Sequence, residues 1–301
     1  MDGILIINKE QGYTSFDVVA VLRKVFGQKR IGHGGTLDPM AEGVLPVFLG
    51  SATGLMNFLG EADKCYEAGI LLGKETDTED IWGNVLREAP VNVTEEEVRA
   101  AVKSFEGVYS QVPPMYSAKK RDGKKLYELA REGVTVEREA VPVSIRSIGL
   151  IKADLPEFRI RVVCSKGTYI RSLARDIGKK LGTGACMTSL LRVSHGGFSL
   201  DVSHTVPEVR EAKENGALSD LVIPLDEVLS AYPKLFMTEL TDKLLMNGNR
   251  IPEDVLKLSE SPENGALYRA YLSDGRFAAL YRYSAENGCF RAEKMFLPGN
   301  G

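Results

Sequence analysis

Two segments in which apolar and polar residues alternate do most to limit what this chain can become. Phe158-Arg-Ile-Arg-Val-Val-Cys164 alternates with a period of two, and Lys64-Cys-Tyr-Glu-Ala-Gly-Ile-Leu-Leu72 puts Tyr66, Ala68, Ile70 and Leu72 on one face. Strand side chains point to opposite faces in turn, so each segment is expected to pair into a sheet with one face buried. Residues 3–7 are a third, shorter strand candidate, and residues 73–83 read as a polar loop. Helical spacing fills the gaps. Thr14 with Asp17 three residues on is a variant capping box, after which Val18, Val21, Leu22 and Val25 recur until Gly27. Thr94 caps a second helix whose first turn carries Glu95, Glu96 and Glu97. A third helix is expected from near Thr168, with Ile170, Leu173, Ala174, Ile177 and Leu181 as its buried stripe. Past Tyr232-Pro233 the texture changes to short β-like runs at 268–272 and 277–283. This predicts a small β-rich domain over 233–301 behind a larger one over 1–232.

Composition removes several classes of function. Apolar residues make up 44% and charged residues 26% of the 301 positions, the balance of a globular chain with a real core. No run approaches the roughly eighteen unbroken apolar residues that span a bilayer. The N-terminus has neither the basic start nor the long apolar segment of a signal peptide, so a cytoplasmic protein is expected. Cys65, Cys164, Cys186 and Cys289 show no Cys-x-x-Cys spacing, and His33, His195 and His204 stand apart from any cysteine pair. Reduced thiols are expected, with no zinc site and no disulfide framework. The net charge of −3 argues, as an average, against a nucleic-acid partner. The distribution is uneven, however: residues 111–131 sum to +4 and 158–192 to +7, against −7 over 61–110 and −5 over 201–301. A local basic surface can follow a phosphate backbone, and solvated surface charge accounts for the same numbers equally well.

Four groups of residues could carry chemistry. Asp38 follows the loop Gly32-His33-Gly34-Gly35-Thr36-Leu37 and precedes Pro39. Locally, Asp-Pro suits a helix N-cap with proline in the first turn. The three glycines point instead to backbone that comes close to a bulky ligand. No Gly-Lys-Ser/Thr follows, which excludes a P-loop. Arg171 falls in the first turn of the third helix, where the helix dipole opposes a cation; Arg175 lies one turn later and Lys166 just before. Such a cluster suits a carboxylate, a phosphate or plain solvent. Tyr66 reads as core, or as a ring that stacks on or hydrogen-bonds a base. The stretch Pro113-Pro114-Met115-Tyr116-Ser117-Ala118-Lys119-Lys120-Arg121, with Lys124-Lys125-Leu126-Tyr127, interleaves aromatics and cations as single-stranded nucleic-acid contacts do.

Residues 32–46, Gly-His-Gly-Gly-Thr-Leu-Asp-Pro-Met-Ala-Glu-Gly-Val-Leu-Pro, closely resemble the catalytic motif of the bacterial tRNA pseudouridine synthase B family, whose members modify the uridine of the TΨC loop (U55). The likeness continues in order through Asn8-Lys9 with Gly12-Tyr13-Thr14-Ser15, Lys64 and Tyr66, and Gly73 with Thr76-Asp77-Thr78 and Asp80. It then runs through Gln111 to Ala118, Gly167-Thr168-Tyr169-Ile170-Arg171 and Leu190-Leu191-Arg192. It covers roughly residues 3–200 and weakens past 233. It implies an α+β pseudouridine synthase fold, with a mixed, largely antiparallel central sheet flanked by helices, and a compact RNA-binding domain of the PUA type. By motif, Asp38 is the catalytic aspartate, Tyr66 the tyrosine that stacks on the base and is implicated in proton transfer, and Arg171 the arginine that pairs with the aspartate. Leu190 is the apolar pocket residue, with Leu191 as a one-residue alternative. His33 matches the histidine that inserts into the T-loop, Lys9 a supporting lysine, and Lys64, Tyr169, Lys166 and Lys119 further RNA contacts. Glu10 and Glu42 depart from the family's proline and threonine, which bears on the loop's shape.

The implied partner is the T-arm stem-loop of tRNA, with no cofactor, no membrane and no protein partner, and a monomeric enzyme. The reaction breaks the bond from ribose C1′ to N1, turns the uracil and rejoins C1′ to C5. The base must leave its stack, and an ionised Asp38 is expected inside a pocket that excludes water, its charge favoured by Arg171. Three other readings compete: a T-arm RNA chaperone, a pseudouridine synthase for another RNA, and a two-carboxylate glycoside-processing enzyme. A carboxylate among phosphates disfavours the first, His33 the second, and the presence of one outstanding acid the third.

Overall fold

The structure of the chain, a computed structural model, describes residues 1–56, 62–117, 119–121, 123–134, 136–258 and 260–297. Its strands are β1 Gly3–Lys9, β2 Ile31–His33, β3 Glu42–Leu49, β4 Lys64–Leu72, β5 Lys74–Thr76, β6 Val85–Glu88, β7 Gly107–Gln111, β8 Lys120–Arg121 and β9 Lys124–Lys125. They continue as β10 Val141–Asp154, β11 Glu157–Cys164, β12 Ala185–His195, β13 Phe198–Ser199, β14 Lys234–Phe236, β15 Ile251–Pro252, β16 Leu267–Tyr271, β17 Phe277–Ser284 and β18 Cys289–Met295. The helices are α1 Ser15–Phe26, α2 Glu95–Lys103, α3 Leu126–Arg131, α4 Ile170–Lys180, α5 Val206–Glu214, α6 Leu225–Val228 and α7 Glu239–Met246.

The main sheet runs β1-β3-β12-β4-β11-β10-β7, with β2 beside β3 and β13 beside β12. Its described pairs are antiparallel except β3 with β12, so the expected mixed, largely antiparallel α+β arrangement holds. Pattern explains which faces are covered. On β4, Tyr66, Ala68, Ile70 and Leu72 are buried on the face that meets α1, α2, α4 and α5. β1 is apolar from Ile4 to Ile7 because both its faces are covered there. Leu5 and Ile7 join that core, while Ile4 and Ile6 join a second one with Val44, Phe48, Leu225 and Leu280.

The helix ends follow the chain's own signals. Thr14 caps α1 reciprocally with Asp17, and Gly27 ends it at φ 65°. Thr94 and Glu97 make the same box for α2. α4 begins at Ile170, two residues later than expected, because the buried Gln111 side chain fixes the backbone of Tyr169. Its Oε1 accepts from Tyr169 N at 2.8 Å, and its Nε2 donates to Tyr169 O at 3.0 Å. The segment 73–83, read as a loop, contains β5 and turns back into β6, with Asp77 accepting from Asn84 N at 2.8 Å. A five-stranded sheet, β14-β16-β17-β18-β15, follows with its own core. Arg269 straps it to the preceding chain by donating to the carbonyls of Tyr232, Asp226 and Ser230. All four cysteines are free, three of them buried. No helix among the described residues is long and apolar enough to cross a membrane.

The parallel junction depends on one glycine. Gly43 lies between Lys9 of β1 and Arg192 of β12 in register, at φ 101°, and a Cβ there would collide with the Arg192 carbonyl oxygen. Gly43→Ala is expected to cost about 2–4 kcal/mol of stability, read as a lower urea midpoint. A loss under about 0.5 kcal/mol would contradict this packing.

Candidate active site

The loop between His33 and Glu42 has no regular structure, so its carbonyl and N–H groups need partners from elsewhere. They come from the end of β1, the turn after it and the start of α1. Ser15 Oγ accepts from Leu37 N at 2.9 Å and contacts Leu37 O at 3.2 Å. Gly12 N donates to Pro39 O at 2.9 Å. Lys9 Nζ donates to Pro39 O at 3.1 Å, Tyr13 O at 2.7 Å and Glu10 O at 3.0 Å. An ammonium has three protons, and here three carbonyls take them. Lys9 is fully buried and gives its protons to the backbone that holds the loop rather than to the surface. Pinned this way, Asp38 closes a turn in which Ala41 N donates to Asp38 O at 3.0 Å. Strand β3 follows directly, so Asp38 is not a helix N-cap.

The glycines do something other than expected. Added Cβ atoms would meet Met56 Sδ at 2.6 Å from Gly32 and the Phe48 ring at 2.9 Å from Gly34. From Gly35, at φ 76°, one would meet His195 Cε1 at 3.1 Å. The protein's own side chains come close here, so the glycines let the loop lie flat on the sheet rather than admit a ligand.

Arg171, in the first turn of α4, is only 5% exposed. Its Nε donates to Asp38 Oδ2 at 3.0 Å. Nη1 donates to Thr78 O at 3.0 Å and lies 3.7 Å from Asp80 Oδ2, while Nη2 donates to Tyr116 O at 2.9 Å. Two carboxylates and two carbonyls thus outweigh the helix dipole. The turn that supplies Thr78 and Asp80 is itself anchored. Glu79 takes φ 65°, the one positive value outside glycine among the described residues, a geometry that costs roughly 1–3 kcal/mol. Its carboxylate accepts from Ser172 Oγ at 2.6 Å and pairs with Arg175. The arginines at 171 and 175 therefore both face carboxylates. The role of Asp80 was missed because in sequence it is one acid among several in 75–80. Asp38 itself keeps 43% of its side-chain surface open, so the described residues leave it accessible on one side rather than enclosed in the expected pocket.

Strand register puts the remaining residues on the same floor. Tyr66 pairs with Arg192 and Ala68 with Leu190 across β4 and β12. Leu190, buried, therefore shares a face with Tyr66, while Leu191 points to the other side. Burial pushes the Tyr66 phenol's pKa up, and the Arg192 guanidinium opposes this; the charges of Cys164 and Asp38 add to the rise. The His33 imidazole is pushed below its usual value by burial and then by Arg192, so it is neutral at pH 7. Lys64 is buried and donates to Ala62 O at 3.0 Å. Tyr169 is half-buried at the start of α4, and Lys166 and Lys119 are exposed.

Part of the charge counted along the basic segments is taken up by carboxylates or enclosed, while Arg159, Lys166, Lys179 and Lys180 are exposed. Within 158–192, Arg161 pairs with Glu67, Arg171 with Asp38, Arg175 with Glu79, and Arg192 is fully buried. In the other segment, Ala118 and the side chains of Lys120, Arg121 and Lys125 lie outside the described residues. The two departures also find a place. Glu10 gives Lys9 a carbonyl, and Glu42 accepts from Gln11 at 3.3 Å while its charge supports the Lys9 ammonium. No cluster of three or more metal-ligating side chains occurs among the described residues.

A model of the TruB family pseudouridylate synthase N-terminal domain matches residues 23–170, and one of the tRNA pseudouridylate synthase B C-terminal domain matches residues 171–230. The tRNA pseudouridine synthase B of Clostridium novyi (strain NT) is 44% identical over 297 residues, covering 99% of this chain and 100% of the relative. The protein of the same name from Alkaliphilus oremlandii (strain OhILAs) is 48% identical over 256 residues, 85% of each. Among solved structures, a chain of a Cbf5-Nop10-Gar1 complex superposes with a TM-score of 0.71 at 27% identity, covering 98% of this chain and 85% of that one. A chain of an H/ACA RNP bound to a substrate RNA containing 2′-deoxyuridine reaches 0.72 at 24% identity over 99% and 86%, a likeness of fold.

Lys9 gives the loop a testable pH signature. Burial lowers its ammonium from 10.5 to about 8, against the pull of Glu42 and Asp38. Below about pH 8 both folded and unfolded chains hold the proton and the burial penalty is complete. Between about 8 and 10.5 the unfolded chain holds more proton, so Lys9's contribution to stability rises with pH. The stability of wild type minus Lys9→Met is expected to grow by roughly 1–3 kcal/mol across that window and to stay flat below it. Urea unfolding of both proteins from pH 7 to 10 measures this; a flat difference throughout would refute it.

Proposed function

The chain belongs to the TruB family of pseudouridylate synthases, and on that footing we propose that it isomerises the uridine of the tRNA TΨC loop with Asp38 as the catalytic carboxylate. The activity is that of an isomerase acting on a tRNA uridine. The observation that carries the assignment to Asp38 is its pairing with Arg171, a guanidinium buried and held on every side, while the carboxylate stays half open. A rigid cation sets where the acid sits, and an open face lets a nucleotide reach it.

In this reading the T-arm loop lays the flipped uridine over Asp38, and the RNA covers the face that the described residues leave open. Asp38 acts at the ribose while the C1′–N1 bond opens. Tyr66 and Leu190 hold the detached uracil as it turns. Tyr66, whose phenol lies on the same floor, handles the C5 proton once C1′ has joined C5. His33, neutral and beside the loop, occupies the space that the base leaves. Tyr169, Lys166 and Lys119 act as RNA contacts, and residues 233–301 act as a PUA-like RNA-binding domain. In this reading the enzyme works in the cytoplasm as a single chain.

The test is tritium release from a T-arm stem-loop labelled at uracil C5. Wild type is expected to release label, and Asp38→Asn to fall at least about 1,000-fold with stem-loop affinity within about threefold. An Asp38→Asn protein that keeps its turnover would remove Asp38 from the chemistry. Wild type that binds without release would favour an RNA chaperone.

A further inference from the structure

Arg192 is fully buried on β12, and its bonds account for only part of its guanidinium. Nε donates to Val44 O at 2.6 Å and Nη2 to Gly35 O at 3.0 Å, so it ties together the two ends of the loop that carries Asp38. Nη1 is buried with no hydrogen-bond partner among the described residues. No salt bridge is recorded for it among those residues. The groups it influences are the Tyr66 phenol on β4, the Lys9 ammonium on β1 and the His33 imidazole on β2. A buried cation with one idle donor and no carboxylate is costly unless a negative charge meets it at some stage. Lys9 and His33 carry none. Tyr66, its cross-strand partner, is the group there that can become an anion.

We propose that Arg192 is a positioning residue for the reaction, orienting the Tyr66 phenol and holding its negative charge while Tyr66 moves a proton across the uracil. This rests on the pseudouridine synthase reading of Tyr66. When C1′ has joined C5, the ring carries hydrogen on C5 and none on N1. Tyr66 gives its O–H proton to N1 and becomes a phenolate. The phenolate then takes the C5 proton; the C5–H pair forms the C5–C6 double bond, the C6–N1 π pair returns to N1, and the phenol is restored. One proton has moved from C5 to N1 through Tyr66, with no oxidant or reductant. The C5 hydrogen ends on a phenol, from which it exchanges with water. Three other charges or thiols bear on that phenol: Asp38 from the loop and Cys164 from β11 disfavour the anion, and Arg192 favours it.

The test places 3,5-difluorotyrosine at position 66 and follows its ionisation by fluorine NMR in wild type and in Arg192→Gln. The same proteins, with tyrosine restored, are compared in single-turnover tritium release. Arg192→Gln is expected to ionise at least about tenfold less readily at a given pH and to react at least about 100-fold more slowly, with stem-loop affinity within about threefold. Arg192→Lys, which keeps the charge, should recover part of both. A phenol that titrates alike with arginine and glutamine overturns the proposal, whatever the rate does. If Arg192→Gln does not fold, wild type bearing difluorotyrosine provides the reading: the Arg192 side-chain nitrogen resonances must shift as the phenol ionises, and unmoved resonances overturn the proposal. Absence of tritium release from wild type would instead fail the underlying synthase reading, so the two failures are separable.

Discussion

A pair of buried cations donating to backbone carbonyls is what the rest of this site depends on. Lys9 on β1 and Arg192 on β12 flank Gly43 of β3 in register, and between them they take the carbonyls of Glu10, Tyr13, Pro39, Gly35 and Val44. Irregular backbone laid on a sheet must find such donors or lose more than a kcal/mol for each orphaned group. Charged donors make these bonds stronger than neutral ones would. Gly43 is a glycine for the same reason. The strands must approach closely for both cations to reach the loop, and a Cβ would stand in that gap.

The ion pair at the centre is asymmetric, and the asymmetry is useful. Arg171 is fixed by two carbonyls and two carboxylates, and the turn that supplies two of those partners is fixed in turn by Glu79, Ser172 and Arg175. Asp38 is held at one oxygen and faces outward. An arrangement that buried both groups would pay for desolvating two charges and leave nowhere for a nucleotide to enter. Burying only the arginine keeps the acid's position rigid and its reach open.

How much of this was legible in the sequence varied with how local the cause was. Thr14 with Asp17, Thr94 with Glu97 and the alternation of β4 and β11 act over a few residues, and each was readable directly. The long strands β10 and β12 were not, because bulges at Ile145/Ser147, Leu150/Lys152, Met187/Ser189 and Arg192/Ser194 break the two-residue period that a reader looks for. Asp38, Tyr66 and Arg171 stood out by motif. What Arg171 touches did not, since Thr78, Asp80 and Tyr116 lie about 55 to 93 positions away in the chain. The glycine loop was misread for a related reason. Sequence shows that backbone will come close to something at Gly32, Gly34 and Gly35, and only the packing reveals that Met56, Phe48 and His195 are what it meets.

The same distinction governs charge. Counting cations along 158–192 suggested a phosphate-binding strip, yet Arg161, Arg171 and Arg175 are paired with carboxylates and Arg192 is enclosed. Local charge in a sequence measures what residues are available, not where their charge is directed. Here much of it is directed inward, to hold a loop and a carboxylate in place. The enclosed cations, Lys9, Arg171 and Arg192, act where low dielectric lengthens their reach and salt screens them least.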